Sequence, residues 1–188
     1  MEHVRLATLA DAEEIAAIYA PFVEKTHVSF EEVAPLPGAM SERLIAALDT
    51  MPWIVCERNG RVAGYAYASA HRSRAAYRFS VDTSAYVADG DRGTGVGRAT
   101  YAALIRVLIA QRFANAFAGI ALPNDTSLAL HRALGFDEVG RYRNVGFKNE
   151  AWRDTVWLQR SLAPRTVPPL EPLALGELSA ETIARALT

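Results

Sequence analysis

Cysteine is almost missing from this chain. Cys56 stands alone among 188 residues, which excludes an internal disulfide. No grouping of Cys and His has metal-ligand spacing, so a metal-free protein is expected. Net charge is small as well: 20 Lys and Arg against 21 Asp and Glu leave −1. That balance gives no general pull toward nucleic acid or an anionic membrane. No apolar run approaches the ~20 residues needed to span a bilayer. The opening residues, Met1-Glu2-His3-Val4-Arg5, lack the apolar core of a signal peptide. A cytoplasmic protein with no nucleic-acid or membrane partner is therefore expected. What is present is ordinary for a globular chain, with 51% hydrophobic and 22% charged residues. The length suits one domain with a proper core.

Periodicity then divides the chain into elements. Residues 3–6 can form a short strand. Thr8 precedes a helical pattern with Ala12, Ile15, Ala16, Ile18 and Tyr19 on one side, ending by Pro21 or soon after. Pro35 and Pro37 keep the following chain extended, and Ser41 is placed as the N-cap of a second helix through Leu44, Ile45 and Leu48. Residues 53–57 and 62–68 read as strands around Asn59-Gly60, a strong hairpin signal. A long strand is expected from Tyr77 to Val87, with Val81, Thr83, Ala85 and Val87 facing one way and Asp82, Ser84 and Tyr86 the other.

Beyond it, Val96, Ala99, Thr100, Ala103, Leu104, Val107 and Leu108 form a buried stripe at helical spacing. Residues 117–121 read as a short apolar strand. Asn124 or Asp125 caps a helix through Leu128, His131 and Leu134 that stops at Gly135. Strands near 136–147 and 152–162 close the domain. This order predicts an α/β fold with a mixed sheet and helices on both faces. The domain is placed at 1–163 and a tail at 164–188. Pro164, Pro168, Pro169 and Pro172 make the tail an extended linker, and Ser179 caps a short helix through Ile183, Ala184 and Leu187. The tail either packs, on this domain or on a second subunit, or stays disordered.

The most informative stretch is Asp91-Arg92-Gly93-Thr94-Gly95-Val96-Gly97-Arg98. A strand that turns through glycines into a helix gathers unpaired N–H groups, and the helix dipole adds about half a positive charge. Glycines there let a pyrophosphate approach the backbone. Arg92 and Arg98 add side-chain charge. A plain tight turn is the alternative. A Rossmann fingerprint does not fit, because the glycines run G-x-G-x-G in mid-chain and no acid stands near Phe117. A nucleotide P-loop needs Gly-Lys-Ser/Thr where Gly97-Arg98-Ala99 stands.

The arrangement Arg92-x-x-Gly95-x-Gly97 matches the pyrophosphate turn of the GNAT superfamily of acetyl-CoA-dependent N-acetyltransferases. Further stretches match in order: 26–31 (Thr-His-Val-Ser-Phe-Glu), 72–78 (Arg-Ser-Arg-Ala-Ala-Tyr-Arg), 81–87 (Val-Asp-Thr-Ser-Ala-Tyr-Val), 124–131 with 134–136, 146–148 and 152–154. Over residues 3–162 the chain thus resembles the phosphinothricin and methionine sulfoximine N-acetyltransferases. The resemblance implies the GNAT fold, a mixed and mostly antiparallel twisted sheet. It also implies acetyl-CoA as cofactor, the α-amine of a small amino acid analogue as acceptor, direct transfer in a ternary complex, and a homodimer. Two alternatives stay open. One is a GNAT enzyme acting on a protein N-terminus, lysine or polyamine, and the other is a non-catalytic acyl-CoA-binding sensor.

Within that frame Asp82 matters most for mechanism. An ammonium has no lone pair to attack a thioester, and an amine of pKa about 8 is mostly protonated at neutral pH. A nearby carboxylate can take the proton directly or through a water. Asp82 lies five residues before Val87, ~16 Å along an extended strand, which suits a thioester whose pantetheine arm runs beside it. The family carries Glu at this position, and the shorter Asp favours a bridging water. A solvated strand acid is the alternative. Similarity makes His131 the second catalytic candidate, as a proton relay or donor to the leaving thiolate, against a packed histidine. Tyr86 is an acid by residue type, but its position beside the glycines suits packing.

The cofactor contacts implied are the backbone of Ala85, Tyr86 and Val87, pairing with the pantetheine amides as another strand would. With them come Arg92, Gly93, Thr94, Gly95, Val96, Gly97 and Arg98, and then Asn124 and Ser127, which are also ordinary capping residues. Arg72 and Arg74 would clamp a substrate carboxylate or phosphinate while its ammonium faces Asp82, or form a solvated basic loop. Phe30 and Glu31 would wall the substrate pocket, with Ser73, Tyr77, Thr83 and Ser84 beside it. Lys148 and Trp152 would complete it. Cys56 sits in an apolar strand, where a thiol is inert, so no acetyl-enzyme is expected.

Overall fold

Along Trp53–Arg58 successive side chains enter opposite cores: Ile54 joins one apolar cluster, while Trp53 and Val55 join the other. This is the period-two geometry of a strand buried on both faces. In the computed structural model, which describes residues 2–188, that strand lies near one side of a seven-stranded sheet. The strands are β1 (Glu2–Leu6), β2 (Trp53–Arg58), β3 (Arg61–Ala70), β4 (Ser80–Val87), β5 (Asn115–Ala121), β6 (Asp137–Lys148) and β7 (Ala151–Ser161). Their spatial order is β1-β2-β3-β4-β5-β7-β6. Neighbours are antiparallel except β4 and β5, which run parallel. The expected mixed, mostly antiparallel sheet is the one observed.

Helices α1 (Ala12–Lys25) and α2 (Pro37–Ala47) cover one face through Ile15, Tyr19, Val23, Met40 and Leu44. The other face is covered by α3 (Val96–Ala110), α4 (Asp125–Ala133) and α5 (Ala180–Leu187). The stripe on α3 is buried as its spacing requires, with Val96, Thr100, Ala103, Leu104, Val107 and Leu108 inside and Ala99 half-buried. Asn59 and Gly60 both take positive φ (52° and 75°) between β2 and β3, as a tight hairpin turn demands.

Three boundaries differ from the sequence expectation. Helix α1 runs a turn past Pro21 because Val23 is buried and Phe22 meets the ring of Tyr86 edge-on at 5.0 Å. Packing there outweighs one lost backbone bond. Helix α2 begins at Pro37, not after Ser41, since a proline costs nothing at the first helical position. Ser41 lies inside the helix and donates to the Pro37 carbonyl at 3.1 Å, and Ile45 is 62% exposed, off the buried stripe. The long strand starts at Ser80, because Ala75–Tyr77 forms a 3-10 turn closed by Tyr77 N–H on Arg74 O and Arg78 N–H on Ala75 O.

The tail folds back onto its own domain. Leu175 and Ala186 enter the core, and Arg106 on α3 donates to the Ala186 carbonyl at 2.7 Å. The buried Gln111 amide donates to the carbonyls of Thr50 and Leu173, both at 2.9 Å. Ser179 caps α5 by accepting from the Thr182 N–H. Truncating Leu175, 4% exposed, should therefore lower stability. Leu175→Ala is expected to lose about 2–5 kcal/mol in urea denaturation. A change below about 0.5 kcal/mol would mean the tail unfolds independently of the domain.

Candidate active site

The parallel pairing of β4 with β5 covers only Ser80↔Asn115, Val81↔Ala116 and Asp82↔Phe117. After Asp82 the two strands are no longer paired. The next side chain, Thr83, donates from its hydroxyl to the Phe117 carbonyl at 2.9 Å. On its other edge β4 stays paired with β3 through Ala85↔Ala66, Tyr86↔Tyr65 and Val87↔Gly64. A cleft therefore opens between residues 83–86 of β4 and 118–121 of β5. It continues into a cavity of about 440 Å³ that reaches the glycine turn.

The turn is built as an anion cradle. Gly93 and Gly95 take positive φ (74° and 96°), and Gly95 is the N-cap of α3. Among the described residues, the backbone N–H groups of 93–98 have no protein acceptor, which leaves the donors of a helix N-terminus free for a ligand. Gly97 is needed for room, because a Cβ there would come within 3.3 Å of the Val87 side chain. The loop is braced from behind: Arg58 donates to the Thr94 hydroxyl at 2.6 Å, and that hydroxyl donates to the Asp91 carbonyl at 2.6 Å.

Most of the residues named for the cofactor line this one cavity: Ala85, Tyr86, Val87, Arg92, Gly93, Gly95, Gly97, Arg98, Asn124 and Ser127. Thr94 and Val96 do not. Thr94 is occupied by its brace, and Val96 is wholly buried beside Cys56 and Ala63. Arg92 is paired to Asp89 at 2.7 Å and lies over the Phe22 ring. Asn124 caps α4 by accepting the Ser127 N–H at 3.2 Å. A larger surface groove of about 730 Å³, around Asp137, Gln159 and Arg160, lies at the C-terminal end of α4 and contains none of these groups.

Asp82 sits on the last paired rung, one residue before Thr83 enters the lining of the cleft. Burial raises its pKa above the ordinary carboxylate value, opposed by a hydrogen bond from His71 and by the nearby charge of Arg72. His71 Nδ1 is 2.6 Å from Asp82 Oδ1. Sequence reasoning missed this partner, although His71 follows β3 just where that strand pairs with the start of β4.

His131 lines both the cleft and the cavity, beside Asn124 and Ser127. It is 4% exposed, and both ring nitrogens have partners inside the fold. Nδ1–H donates to the Ser127 carbonyl at 2.7 Å, and Nε2 lies 2.9 Å from the Tyr101 hydroxyl. Tyr101 in turn is 2.6 Å from the Thr83 hydroxyl. Burial lowers the His131 pKa below its usual value, which favours the neutral ring at pH 7. The Ser127–His131–Tyr101–Thr83 chain ties α4 and α3 to the point where β4 leaves β5. Tyr101 was not singled out in the sequence, since on α3 it reads as one more core residue.

The substrate candidates divide into two groups. Arg72, Ser73, Arg74 and Tyr77 form an exposed edge, where Arg72 lies over the Trp157 ring at 5.6 Å. Phe30 lies against Gly146. Glu31 instead has its carboxylate engaged: Arg43 donates bidentately at 2.9 and 2.8 Å, and Tyr19 donates at 2.9 Å. The Arg43 guanidinium holds the Glu31 carboxyl below the usual carboxylate range. Ser84 lies opposite Tyr67 on β3, and Thr83 faces α3 rather than the side of Asp82. Lys148 is buried, donating to the carbonyls of Val23, Ser29 and Glu31 at 2.6, 2.7 and 2.5 Å. It pins the loop after α1 and does not present a free charge, while Trp152 faces outward at 62% exposure. Cys56 is fully buried and its thiol is pushed up to about 11, as expected of an inert cysteine.

Residues 4–157 match the acetyltransferase (GNAT) domain family. The chain belongs to the GNAT acetyltransferase family. It is 41% identical over 161 residues to a phosphinothricin N-acetyltransferase of Alcaligenes faecalis, covering 85% of this chain and 82% of that protein. It is 34% identical over 172 residues to an L-methionine sulfoximine/L-methionine sulfone acetyltransferase of Pseudomonas aeruginosa, covering 88% of this chain and 98% of the relative. Among solved structures, a GNAT superfamily phosphinothricin acetyltransferase from Sinorhizobium meliloti in complex with AcCoA superposes with a TM-score of 0.85. That match has 37% identity over 92% of this chain and 93% of the other.

Gly95 tests the cradle directly, because a β-branched residue at a φ of 96° is strained and displaces the N–H groups. Gly95→Val should weaken acetyl-CoA binding about tenfold or more by calorimetry. Unchanged binding would mean the diphosphate sits elsewhere.

Proposed function

We propose that this GNAT enzyme transfers the acetyl group of acetyl-CoA to the α-amine of a small amino acid analogue of the phosphinothricin, methionine sulfoximine or methionine sulfone type, directly within a ternary complex. The observation that carries this reading is the course of β4: Asp82 sits on its last rung with β5, and the open edge beyond it, from Thr83 on, lines the cleft that leads to the glycine turn. The five residues from Asp82 to Val87 span ~16 Å of extended strand, a length that suits a pantetheine arm.

Bound acetyl-CoA supplies an activated acyl carbon, which passes from sulfur to the amine nitrogen as the thiolate leaves. The chain's own residues do the rest. The N–H groups of 93–98 and Arg98 hold the diphosphate, and the free edge of β4 at residues 85–87 pairs with the arm. Asp82 removes the ammonium proton, directly or through a water, and so exposes the lone pair. Its raised pKa makes it a stronger base than an ordinary carboxylate. Arg72 and Arg74 at the exposed edge draw the acidic group of the same substrate. His131, with both nitrogens engaged, acts through Tyr101 and Thr83 on the shape of the cleft.

No described helix is long and apolar enough to cross a membrane, and we place the reaction on free cytoplasmic amino acid analogues. The relatives' names support the substrate class. We also assign the edge formed by β6 and β7 to a homodimer contact. Val139, Tyr142, Val145, Phe147 and Trp152 are 49–62% exposed on these strands, Phe147 meets Trp152 edge-on at 5.4 Å, and β6 is an open sheet edge.

A free-thiol assay over a panel of amino acids and analogues should show turnover on the named class. Asp82→Asn should reduce kcat about 100-fold or more and leave acetyl-CoA affinity nearly unchanged. Since Asp82 must be ionised to act, wild-type kcat should rise with pH through a pKa above the usual carboxylate range. Equal losses of turnover and cofactor affinity in Asp82→Asn would contradict its role. For the dimer, Phe147→Glu should halve the mass seen by light scattering; a monomeric wild type would refute that contact.

A further inference from the structure

His71 lies just past the end of β3, where Ser69 and Ala70 pair with Asp82 and Val81. Its ring turns back over the sheet and stacks flat on Phe117, with centroids 4.3 Å apart and planes 15° apart. Phe117 is the residue opposite Asp82 on the last rung of β4 and β5. Tyr77 and Trp157 meet the imidazole edge-on at 5.8 and 6.2 Å. Three aromatic neighbours thus set the plane of the ring, and Nδ1 points at Asp82 Oδ1 from 2.6 Å. Among the described residues, no protein atom bonds to the second carboxylate oxygen or to His71 Nε2.

An aspartate in a half-buried cleft has two difficulties as a base. Its short side chain can point in several directions, and desolvation favours its protonated, inactive form. A donor held rigid by aromatic packing answers both. We propose that His71 is a positioning residue for Asp82: by donating from Nδ1 to Oδ1 it keeps the carboxylate ionised and turns Oδ2 toward the substrate ammonium. This rests on Asp82 being the base, as argued above. The proton moves from the ammonium nitrogen to Oδ2, directly or through a water. The freed lone pair forms the C–N bond as the acyl carbon's bond to sulfur breaks; the sulfur leaves with that electron pair and takes up the second proton that the nitrogen gives up, so that amide and thiol result. His71 donates to Oδ1 and takes no part in the proton transfer itself.

The other groups facing Asp82 are few. Arg72 from the adjoining loop lowers its pKa, while Tyr67 on β3 and Tyr101 on α3 feel its charge; β5 offers only the apolar Phe117. The His71 hydrogen bond stabilises the ionised carboxylate, so removing it moves the acidic limb of the kcat profile to higher pH.

The test uses His71→Phe, which keeps the stacking ring but loses the donor, and His71→Asn, whose amide N–H falls near the Nδ1 position. His71→Phe should lower kcat about tenfold or more, shift the acidic limb upward, and change the Michaelis constant for acetyl-CoA less than about twofold. His71→Asn should restore most of the turnover and return the limb toward wild type. On an Asp82→Asn background, His71→Phe should cost less than about twofold, because the two side chains act as one unit. Wild-type kcat and pH profile in His71→Phe would overturn the proposal. So would equal losses in both His71 variants with an unmoved limb, which is the signature of packing alone. If Asp82→Asn itself keeps wild-type turnover, the base assignment fails first and this role with it. A lost Asp82→Asn activity beside a normal His71→Phe refutes only the role of His71.

Discussion

Three parallel rungs between β4 and β5 are the constraint on which the rest of this site depends. Had the pairing continued, the edges of β4 and β5 would satisfy each other and no ligand could lie between them. Had it been missing, Asp82 would not stand at the point where the two strands part. The Thr83 hydroxyl takes the Phe117 carbonyl just where the pairing ends, and Tyr101 and His131 back it from α3 and α4. One strand therefore serves three purposes along its length. It begins as a sheet member, carries a carboxylate at the fork, and ends as an open edge leading to the glycine turn.

Three polar groups around the site are held by partners within the fold. Each is matched to groups that fix its position: His131 to Ser127 and Tyr101, Lys148 to three carbonyls, Glu31 to Arg43 and Tyr19. Such pairs hold loops and helices in register, since breaking one strands a buried charge or donor. Lys148 is the clearest case. It joins the end of β6 to the loop after α1, and so keeps Phe30 over Gly146. Arg72 and Arg74 stand on an exposed edge, with Arg72 over the Trp157 ring.

Much of the fold was legible because its signals are local. The Asn59-Gly60 hairpin, the apolar stripe on α3, the Asn124 cap and the glycines before α3 each declare themselves within a few residues. The strand and helix order held, and with it the mixed sheet. Boundaries shifted where tertiary contacts decide, as at Pro21, where Val23 and Phe22 pull the helix onward, and at Ala75–Tyr77, where a 3-10 turn replaces strand. The docking of the tail was open in the sequence, because Leu175 and Ala186 reveal their role only against the core they enter.

In the site, the glycine turn could be found by its pattern and Asp82 through the resemblance; the turn lines the cavity, and Asp82 sits on the last rung before β4 leaves β5. The partners of Asp82 and His131 could not. His71 precedes Asp82 by 11 positions and Tyr101 precedes His131 by 30; neither pair has a local pattern, and both depend on how strands and helices come together. The same holds for Glu31 and Lys148, which look like free charges in the sequence and are bound within the fold.

The most direct measurement is a crystal structure with acetyl-CoA and a methionine sulfone or phosphinothricin molecule bound together. The account predicts the diphosphate on the N–H groups of residues 93–98 and the arm along the open edge of β4. It further predicts the substrate amine within hydrogen-bond reach of Asp82, or one water away. A thioester lying far from Asp82, or an amine facing some other group, would contradict it.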